Sequence, residues 1–382
     1  MKIVHVCLNG IVTDGWDYQD NLLPKYQKKH NNDVIMITSQ WIYNKSGKIE
    51  KTDKDEYLNE NGIKTYRIPL KHGNVFSKLK TYNGLYELLL KENPDIVFLH
   101  DFQCLDSLKV VKYVKKNKNV VLYCDNHADF TNSATNFLSK KVLHGIIWKF
   151  IARKLKPYTK KFYGVLPARV DFLTKVYKLP STKCELLLMG VDDELANECL
   201  TKESINDVKK RYKIDETDFL FVTGGKIDKW KTDTLKLMEA IKELRELKAK
   251  LIVFGSVSDE IKESFFKLVD NDTVMYVGWL DSTESMKILA ASDAAVFPGR
   301  HSVFWEKSAG LGKPIFCKKI PGTNHINING NCVFFEENTI EEYKRLLSQY
   351  VCDKEINSEM KKNAILAKNF FSYYKIAEES LK

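Results

Sequence analysis

The stretch GGKIDKWKT, residues 224–232, concentrates glycines and lysines in one short segment. It follows the apolar run FLFVT and precedes a helical pattern from Asp233, which is typical of a strand-to-helix turn. Glycines let a backbone approach a ligand closely, and a helix N-terminus attracts anions. Lys226 and Lys231 add two positive charges, which suits a diphosphate. The alternative is an ordinary turn with solvated lysines, since the stretch matches neither the P-loop nor the dinucleotide-binding pattern.

Two clusters of polar residues follow apolar runs in the N-terminal half. The loop NGIVTDGWDYQDN, residues 9–21, combines glycines, aromatic rings and hydrogen-bonding groups. The stretch VVLYCDNHADF ends a predicted strand with Asp125, His127 and Asp129. Ligands of parallel α/β sheets bind beyond the carboxyl ends of the strands, so both clusters are candidate binding residues. The alternatives are an ordinary connection with buried aromatic rings and a structural histidine.

Apolar runs alternate with helical patterns along the whole chain. Its 382 residues exceed one ordinary core, so two domains are expected. The uninterrupted apolar runs are typical of parallel strands buried on both faces. The pattern therefore predicts an α/β protein with two doubly wound domains in tandem. Between two of the predicted strands, SKLKTYNGLYELLLKEN (77–93) is expected to be helical.

The composition narrows the class of partner. A net charge of +10 favours an anionic partner, and we find no nucleic-acid recognition module in the sequence. The eight scattered cysteines lack zinc-like spacing and are expected to be buried thiols. The start MKIVHVCLNG is typical of a first strand and not of a signal peptide, and no run of 18 apolar residues occurs. We therefore expect a cytoplasmic protein.

A basic stretch spans residues 139–161, SKKVLHGIIWKFIARKLKPYTKK. It holds eight lysines and arginines and no acidic residue, and apolar residues recur in it at near-helical spacing. A basic amphipathic helix can lie on an anionic membrane surface, here the inner face of the cell membrane. The alternative is a helix that buries its apolar side and leaves its basic face in water.

Longer stretches around the candidate residues resemble the retaining glycosyltransferase family 4, the group 1 glycosyl transferases. GGKIDKWK is similar to that family's G-R-L-x-x-x-K turn, with Lys226 at the Arg position and Lys231 at the Lys position. VGWLDSTESMKILAASDAAVFPGRHSVFWEKSAGLGKPIF resembles its donor-site block, and TDGWDYQDN resembles a loop found in many relatives. The stretch LLLMGVDDE, at the position between the two domains, and the closing FSYYKIAEESLK also resemble the same family. The resemblance covers most of the chain and is strongest over residues 186–320.

The resemblance implies the GT-B fold, in which two Rossmann-like domains face each other across a cleft. Residues 1–195, with a C-terminal helix (369–382) returning to them, would bind the acceptor, and residues 196–368 would bind a nucleotide-sugar donor. Glu306 matches the second Glu of the family's E-x7-E motif, which holds the ribose hydroxyls. A carboxylate in a first helical turn could otherwise only compensate the helix dipole. The chain departs from the motif at its first Glu, where Pro298 stands in a shortened loop.

The site residues implied for the donor are Gly225, Lys226, Lys231, Gly255, Ser256, Arg300, His301, Ser302, Val303 and Glu306. Those expected for the acceptor are Asp14, Gly15, Trp16, Tyr18, Gln19, Asp125 and Asp129. Catalysis would fall to His127, near the reacting carbon of the sugar, and to Lys226 and Lys231, on the leaving diphosphate.

The reaction implied is a hexosyl transfer with retention from a nucleotide-diphosphate sugar, expected to be UDP-linked, to a hydroxyl of a glycan or lipid-linked acceptor. Such chemistry serves bacterial surface-polysaccharide synthesis. The two lysines and backbone dipoles would stabilise the diphosphate, so neither a cofactor nor a metal ion is expected. Two alternatives stay open: a nucleotide-sugar epimerase or phosphorylase on a similar fold, and a catalytically degenerate GT-B partner protein.

Overall fold

The computed structural model describes residues 1–44, 47–229 and 232–382. These form two compact units: unit 1 is Met1–Leu188 with Ile376–Lys382, and unit 2 is Met189–Lys375. Each unit holds one main sheet with parallel strands and the helices that connect them. The predicted α/β architecture with two Rossmann-like sheets is therefore confirmed.

Unit 1 contains an eight-stranded sheet of order β12-β11-β10-β9-β1-β2-β6-β5, in which β5 alone is antiparallel to its neighbour. Its strands, with two small hairpins, are β1 (Lys2–Cys7), β2 (Asp33–Ser39), β3 (Trp41–Tyr43), β4 (Ile49–Lys51), β5 (Glu56–Leu58), β6 (Lys64–Ile68), β7 (Leu70–His72), β8 (Thr81–Tyr82), β9 (Ile96–Leu99), β10 (Val121–Asn126), β11 (Thr159–Gly164) and β12 (Cys184–Leu186). Its helices are α1 (Gln19–Lys29), α2 (Leu85–Glu92), α3 (Ser107–Lys116), a π-helix (Ser139–Trp148), α4 (Lys149–Leu155) and α5 (Pro167–Lys175).

Unit 2 contains a six-stranded parallel sheet of order β15-β14-β13-β16-β17-β18. Its strands are β13 (Phe219–Gly224), β14 (Ala249–Phe254), β15 (Val274–Tyr276), β16 (Ala294–Phe297), β17 (Ile315–Lys318) and β18 (Cys332–Phe335). Its helices are α6 (Asp193–Cys199), α7 (Lys202–Arg211), α8 (Asp233–Glu243), α9 (Lys262–Phe266), α10 (Ser282–Ala291), α11 (Phe304–Gly310), α12 (Ile340–Cys352) and α13 (Lys354–Ala367). A last helix, α14 (Tyr373–Glu379), leads into the C-terminal residues of unit 1.

The chain order of each sheet reverses beside its first strand. In unit 1, β1 lies between β2 and β9, and in unit 2, β13 lies between β14 and β16. At such a reversal the connections on the two sides of the strand diverge, which leaves a crevice at the carboxyl ends of the strands. The loops that follow β1 and β9, and those that follow β13 and β16, are therefore the places where a ligand fits best.

Two sequence predictions differ from the structure. The helix expected over residues 77–93 begins only at Leu85, because Gly84 takes a left-handed conformation (φ 85°) and Thr81–Tyr82 pairs as a strand instead. The basic stretch begins as a π-helix and continues as α4, but its helical part ends at Leu155 and its last residues belong to β11, which starts at Thr159. Among the helices of the described residues, none is both long and apolar enough to cross a bilayer.

The C-terminal residues pack on unit 1, as the resemblance predicts. The Gln27 side chain donates a hydrogen bond to Ser380 Oγ (2.8 Å), and the Tyr123 hydroxyl donates to the Leu381 carbonyl (2.7 Å). The Tyr163 hydroxyl donates to the Ser380 carbonyl (3.2 Å). These bonds join the tail to α1, β10 and β11.

Ile376 tests this attachment, because its side chain is only 4% exposed. We expect Ile376→Ala to lower the free energy of unfolding by about 2–5 kcal/mol, the usual cost of emptying a buried site. The matched control is Ile365→Ala, at a position that is 65% exposed, which should change it by about 0.5 kcal/mol or less. Chemical denaturation of both variants makes the comparison, and equal losses would contradict the packing described.

Candidate functional site

The loops after β13 and β14 in unit 2 touch along their backbones. Gly225 and Gly255 both have positive φ (111° and 116°), and a Cβ on Gly255 would lie 1.9 Å from the Gly225 carbonyl oxygen. The Ile227 N–H donates to the Ser256 carbonyl at 2.8 Å, which pairs the two loops further. The glycines are therefore required by the close approach of one loop to the other, a reason that the sequence alone does not reveal.

Of the two lysines predicted to bind a diphosphate, the structure describes Lys226 but not Lys231. Lys226 is 75% exposed, and its Nζ lies 3.8 Å from an Asp228 carboxylate oxygen. Lys231 lies outside the described residues, so its predicted contact with a diphosphate stays a prediction. The exposed position of Lys226 leaves its ammonium group accessible to a ligand.

The loop after β16 lies beside this segment, at the reversal of the sheet. It carries Arg300, His301 and Ser302 and leads through Val303 into α11. A narrow cavity of about 10 Å³ separates the two loops, and its lining residues are Thr223, Gly224, Ile227, Thr234, Phe297, Pro298, Gly299, Arg300 and Ser302. The structure thus brings Arg300 and Ser302 together with the start of the lysine segment. Gly255 and Ser256 lie on the neighbouring loop.

Glu306, in the first turn of α11, is the fully buried acid of this region. Its Oε1 accepts hydrogen bonds from His301 Nε2 and from His325 Nε2, both at 2.8 Å. Its Oε2 is buried without a hydrogen-bond partner among the described residues. Burial alone would raise the pKa of Glu306, but the two imidazoles hold it well below its ordinary value. Glu306 is therefore an ionised carboxylate with one oxygen in use.

In unit 1, Asp101 joins the three loops that follow β1, β9 and β10. Its carboxylate accepts hydrogen bonds from the Asn9 side chain (3.1 Å) and from the His127 backbone N–H (2.9 Å). Its own N–H donates to Asp125 Oδ1 at 2.6 Å. Asp101 has a left-handed φ of 49°, a strained conformation for a non-glycine residue that is common in functional sites.

A chain of buried polar side chains runs behind these loops. His5 Nδ1 lies 2.8 Å from His100 Nε2, and His5 Nε2 lies 2.8 Å from Gln27 Oε1. Since the Gln27 oxygen only accepts, His5 Nε2 must donate. A neutral His5 then accepts at Nδ1, so His100 Nε2 is the donor of that bond. The other nitrogen of His100, Nδ1, lies 2.8 Å from Asp125 Oδ2 and 3.2 Å from Asp20 Oδ1.

The charges follow from these contacts. Burial and the neighbouring His100 lower the pKa of His5 well below its ordinary value. Burial alone would also lower the pKa of His100, but the carboxylate of Asp125 beside it raises it well above the ordinary value. Burial would raise the pKa of Asp125, but His100 and His127 hold it well below the ordinary range. Unit 1 therefore keeps a buried imidazolium–carboxylate pair directly behind His127.

His127 and the predicted acceptor residues separate into three groups. His127 is 27% exposed, and its Nε2 lies 3.7 Å from Asp125 Oδ2. The Gln19 side chain donates a hydrogen bond to the same oxygen (3.3 Å). The outer part of the first loop makes contacts away from His127. Asp14 pairs with Arg67 (2.9 Å), the Gly15 N–H donates to Glu60, and Trp16 stacks on Tyr43.

The last two predicted acceptor residues lie apart from both groups. Tyr18 precedes α1 and is exposed. Asp129 accepts hydrogen bonds from Thr131 and pairs with Arg169. The structure thus brings Gln19, Asp125 and His127 together, whereas Asp14 is paired with Arg67 of β6 and Asp129 with Arg169 of α5.

Two adjoining cavities open onto His127. One, of about 110 Å³, is lined by Cys7, Asn9, Gly10, Val12, Asp20, His100, Asp101 and His127. The other, of about 180 Å³, is lined by Asn9, Lys78, Asp101, Gln103, His127, Ala128, Asn132, Ser133 and Trp148. Both sizes suit part of a small polar ligand, and the amide, carboxylate and imidazole groups suit hydroxyl groups.

The sequence prediction missed four residues of these sites: Asp20, His100, Asp101 and His325. His100 and Asp101 directly follow the apolar run DIVFL, so the rule that selected Asp125 and His127 would also have selected them. His325 lies in a loop after β17, and its proximity to Glu306 depends on the sheet order, which the sequence does not show.

Among the described residues, two groups of side chains have the composition of metal ligands: Cys7 with Asp20 and His100, and His301 with Glu306 and His325. Burial raises the pKa of the Cys7 thiol to about 11, which disfavours the thiolate that a metal requires. Around Glu306, both Nε2–H groups point at one oxygen 2.8 Å away. At this distance each imidazole nitrogen is within hydrogen-bonding range of the carboxylate oxygen.

The comparisons with known proteins agree with this fold. Residues 204–367, within unit 2, match the family model described as Glycosyl transferases group 1. A glycosyltransferase from Rickettsia africae ESF-5 is 19% identical, with a TM-score of 0.71, and the match covers 100% of this chain and 96% of that one. Anabaena Alr3699/HepE, solved with UDP-glucose, is 12% identical, with a TM-score of 0.67 and coverage of 100% and 98%.

The same fold also occurs with another activity. A Listeria monocytogenes protein proposed to be a UDP-N-acetylglucosamine 2-epimerase is 12% identical, with a TM-score of 0.65 and coverage of 100% and 94%. No curated protein sequence matches the chain. The likeness to the solved structures therefore establishes the GT-B type of fold, and the family match supports the group 1 glycosyltransferase superfamily for the second unit.

The buried His100–Asp125 pair predicts how stability depends on pH. The pKa of His100 is raised on folding, so its contribution is complete below the unfolded value of about 6.5 and is lost as pH rises through the folded value. The free energy of unfolding of the wild type should exceed that of His100→Gln at low pH. Above about pH 6.5 this difference should fall by up to about 1.4 kcal/mol per pH unit. Denaturant unfolding at pH 6 and pH 9 measures this difference, with exposed His72→Gln as the control. A difference that stays constant with pH would contradict a charged His100.

Proposed function

We propose that the protein is a retaining hexosyltransferase that moves a sugar from a nucleotide-diphosphate sugar, UDP-linked, to a hydroxyl of a glycan or lipid-linked acceptor. The observation that carries the proposal is Glu306: a buried, ionised carboxylate with one unpartnered oxygen in the described structure, within the segment that matches group 1 glycosyl transferases. A buried acceptor of this kind needs a ligand that donates hydrogen bonds, and ribose hydroxyls do so. UDP-glucose bound to the HepE protein, of similar fold, favours a uridine nucleotide.

The two units would divide the work. In unit 2, Lys226, Lys231 and the backbone after β13 and β16 would stabilise the charge on the leaving diphosphate, so the proposal requires no metal ion. In unit 1, His127 would contact the transferred sugar, and the cavities beside it would take the acceptor. Asp125 would hold His127 through its buried negative charge. Surface-polysaccharide synthesis is the setting that such an acceptor implies.

A nucleotide screen tests the donor site. Isothermal titration calorimetry with UDP, GDP, CDP and ADP should show selective binding of UDP. Lys226→Ala/Lys231→Ala should weaken UDP binding at least about tenfold, because two charge-assisted contacts are lost. The control Lys262→Ala/Lys267→Ala removes the same charge from exposed positions around α9 and should bind UDP like the wild type.

The outcomes separate the alternatives. Selective UDP binding followed by sugar transfer to an acceptor, detected by mass spectrometry, supports the proposal. Conversion of the UDP-sugar without an acceptor would point to an epimerase, whose fold the chain shares. Binding without turnover would point to a degenerate partner protein. Equal affinity for all four nucleotides, unaffected by the lysine substitutions, would contradict the proposed donor site.

We further propose that unit 1 binds an anionic membrane surface through residues 137–154. Trp148 and Ile151 of this segment are buried in the core, but a second apolar row stays exposed: Leu138, Val142, Ile146 and Phe150, with Phe137 beside it. The spacing of four residues keeps this row on one helix face. Exposed Lys140, Lys141, Arg153 and Lys154 flank it. An apolar row bordered by cations is the surface that anionic bilayers attract.

Liposome sedimentation tests this surface. Vesicles with phosphatidylglycerol should sediment the wild type and vesicles of phosphatidylcholine alone should not. Ile146→Ser/Phe150→Ser should reduce binding by about tenfold or more, because it removes apolar area that the bilayer would bury. A separate variant, Lys140→Glu/Lys141→Glu/Lys149→Glu/Arg153→Glu, should also reduce binding by about tenfold or more, since each basic group contributes about 1 kcal/mol. The control reverses four exposed lysines on and after α3, Lys112, Lys115, Lys116 and Lys118, in the same unit. Equal losses in the control would show a general charge effect and contradict a defined surface.

A further inference from the structure

Glu306 uses its two carboxylate oxygens unequally. Oε1 receives two N–H donors, from His301 and His325, and so has both of its lone pairs occupied. Oε2 is as deeply buried but has no partner within the described ranges. A buried carboxylate oxygen left without a donor is costly, so this atom identifies a place for a ligand.

The two histidines reach Glu306 from different elements. His301 belongs to the loop after β16, and its ring meets the buried Trp305 edge-on at 5.1 Å between centroids. His325 belongs to a short 3₁₀ turn, Asn324–Ile326, after β17, and its side chain is almost completely buried. The two rings lie 6.1 Å apart. Since two connections of unit 2, the one after β16 and the one after β17, meet at one oxygen, the carboxylate has little freedom to rotate.

We propose that His301 and His325 are positioning residues that restrict Glu306 to a single ligand-accepting oxygen, Oε2. This inference rests on the proposed function, because it takes the ligand to be a ribonucleoside diphosphate. The sequence expectation gave the whole carboxylate to the ribose and placed His301 among the residues that contact the donor. In the structure, His301 instead contacts the residue that would contact the donor. His325 acts in the same way from a segment that carried no prediction.

The arrangement has a consequence for affinity. Both hydroxyls of a ribose must share Oε2, and the strength of those bonds depends on where the imidazoles hold the carboxylate. Removing one imidazole frees Oε1 and allows the group to rotate, so discrimination between nucleotides with and without ribose hydroxyls should weaken. General destabilisation would instead affect both nucleotides alike.

The experiment compares UDP with 2′,3′-dideoxy-UDP by calorimetry. The ratio of the two dissociation constants measures the contribution of the ribose hydroxyls, and for the wild type we expect at least about tenfold. His325→Leu should reduce the ratio to about threefold or less. His325→Gln should keep it, because the glutamine amide replaces the one N–H that the histidine uses, and His325 Nδ1 has no partner in the described part of the chain. His301→Leu and His301→Gln form a second matched pair.

Each outcome has one meaning. A reduced ratio in the leucine variants that the glutamine variants restore supports the positioning role. A ratio unchanged in all variants, while the wild type binds UDP, overturns the positioning role and leaves the proposed function standing. A wild type that binds none of UDP, GDP, CDP and ADP overturns both. If circular dichroism shows that His325→Leu does not fold, the comparison of His301→Leu with His301→Gln tests the positioning role instead.

Discussion

Each unit of this protein buries one carboxylate between two imidazoles at the carboxyl ends of its parallel strands. Asp125 lies 2.8 Å from His100 and 3.7 Å from His127, and Glu306 accepts hydrogen bonds from His301 and His325. A buried carboxylate is costly unless cations or donors surround it. Once they do, it is a fixed negative charge inside the protein. The two candidate sites depend on these charges, because they hold the loops that a ligand would meet.

The two arrangements differ in what they leave available. Around Asp125, Gln19, the Asp101 backbone and His100 occupy the carboxylate, and the exposed group is His127. Around Glu306, the imidazoles are the supporting groups and the carboxylate keeps a free oxygen in the described structure. Unit 1 therefore exposes part of an imidazole, and unit 2 leaves a carboxylate oxygen without a partner among the described residues. The proposed function assigns an acceptor and sugar site to the first and a nucleotide site to the second.

The sequence predicts the fold well because both sheets are parallel and buried. Strands such as β2 and β10 are continuous apolar runs that have few other interpretations. Asp125 and His127 were predicted from their place at the end of a strand, and Gln19 and Glu306 mainly from the resemblance. The structure puts Asp125 and His127 at the carboxyl end of β10, and Gln19 and Glu306 in the first turns of α1 and α11. The partners of these residues were not predicted. His325 reaches Glu306 only because β17 lies beside β16, and Asp14 meets Arg67 across 53 residues of chain. Contacts of this kind depend on tertiary packing, which a local pattern does not contain.

A crystal structure of the protein with UDP tests the central claim most directly. The account predicts a ribose whose hydroxyl oxygens lie about 2.6–3.0 Å from Glu306 Oε2, with Oε1 still bound to both imidazoles. It also predicts the diphosphate beside the loops after β13 and β16. A nucleotide bound elsewhere in unit 2, or a Glu306 whose hydrogen bonds to the histidines are broken when UDP binds, would contradict it.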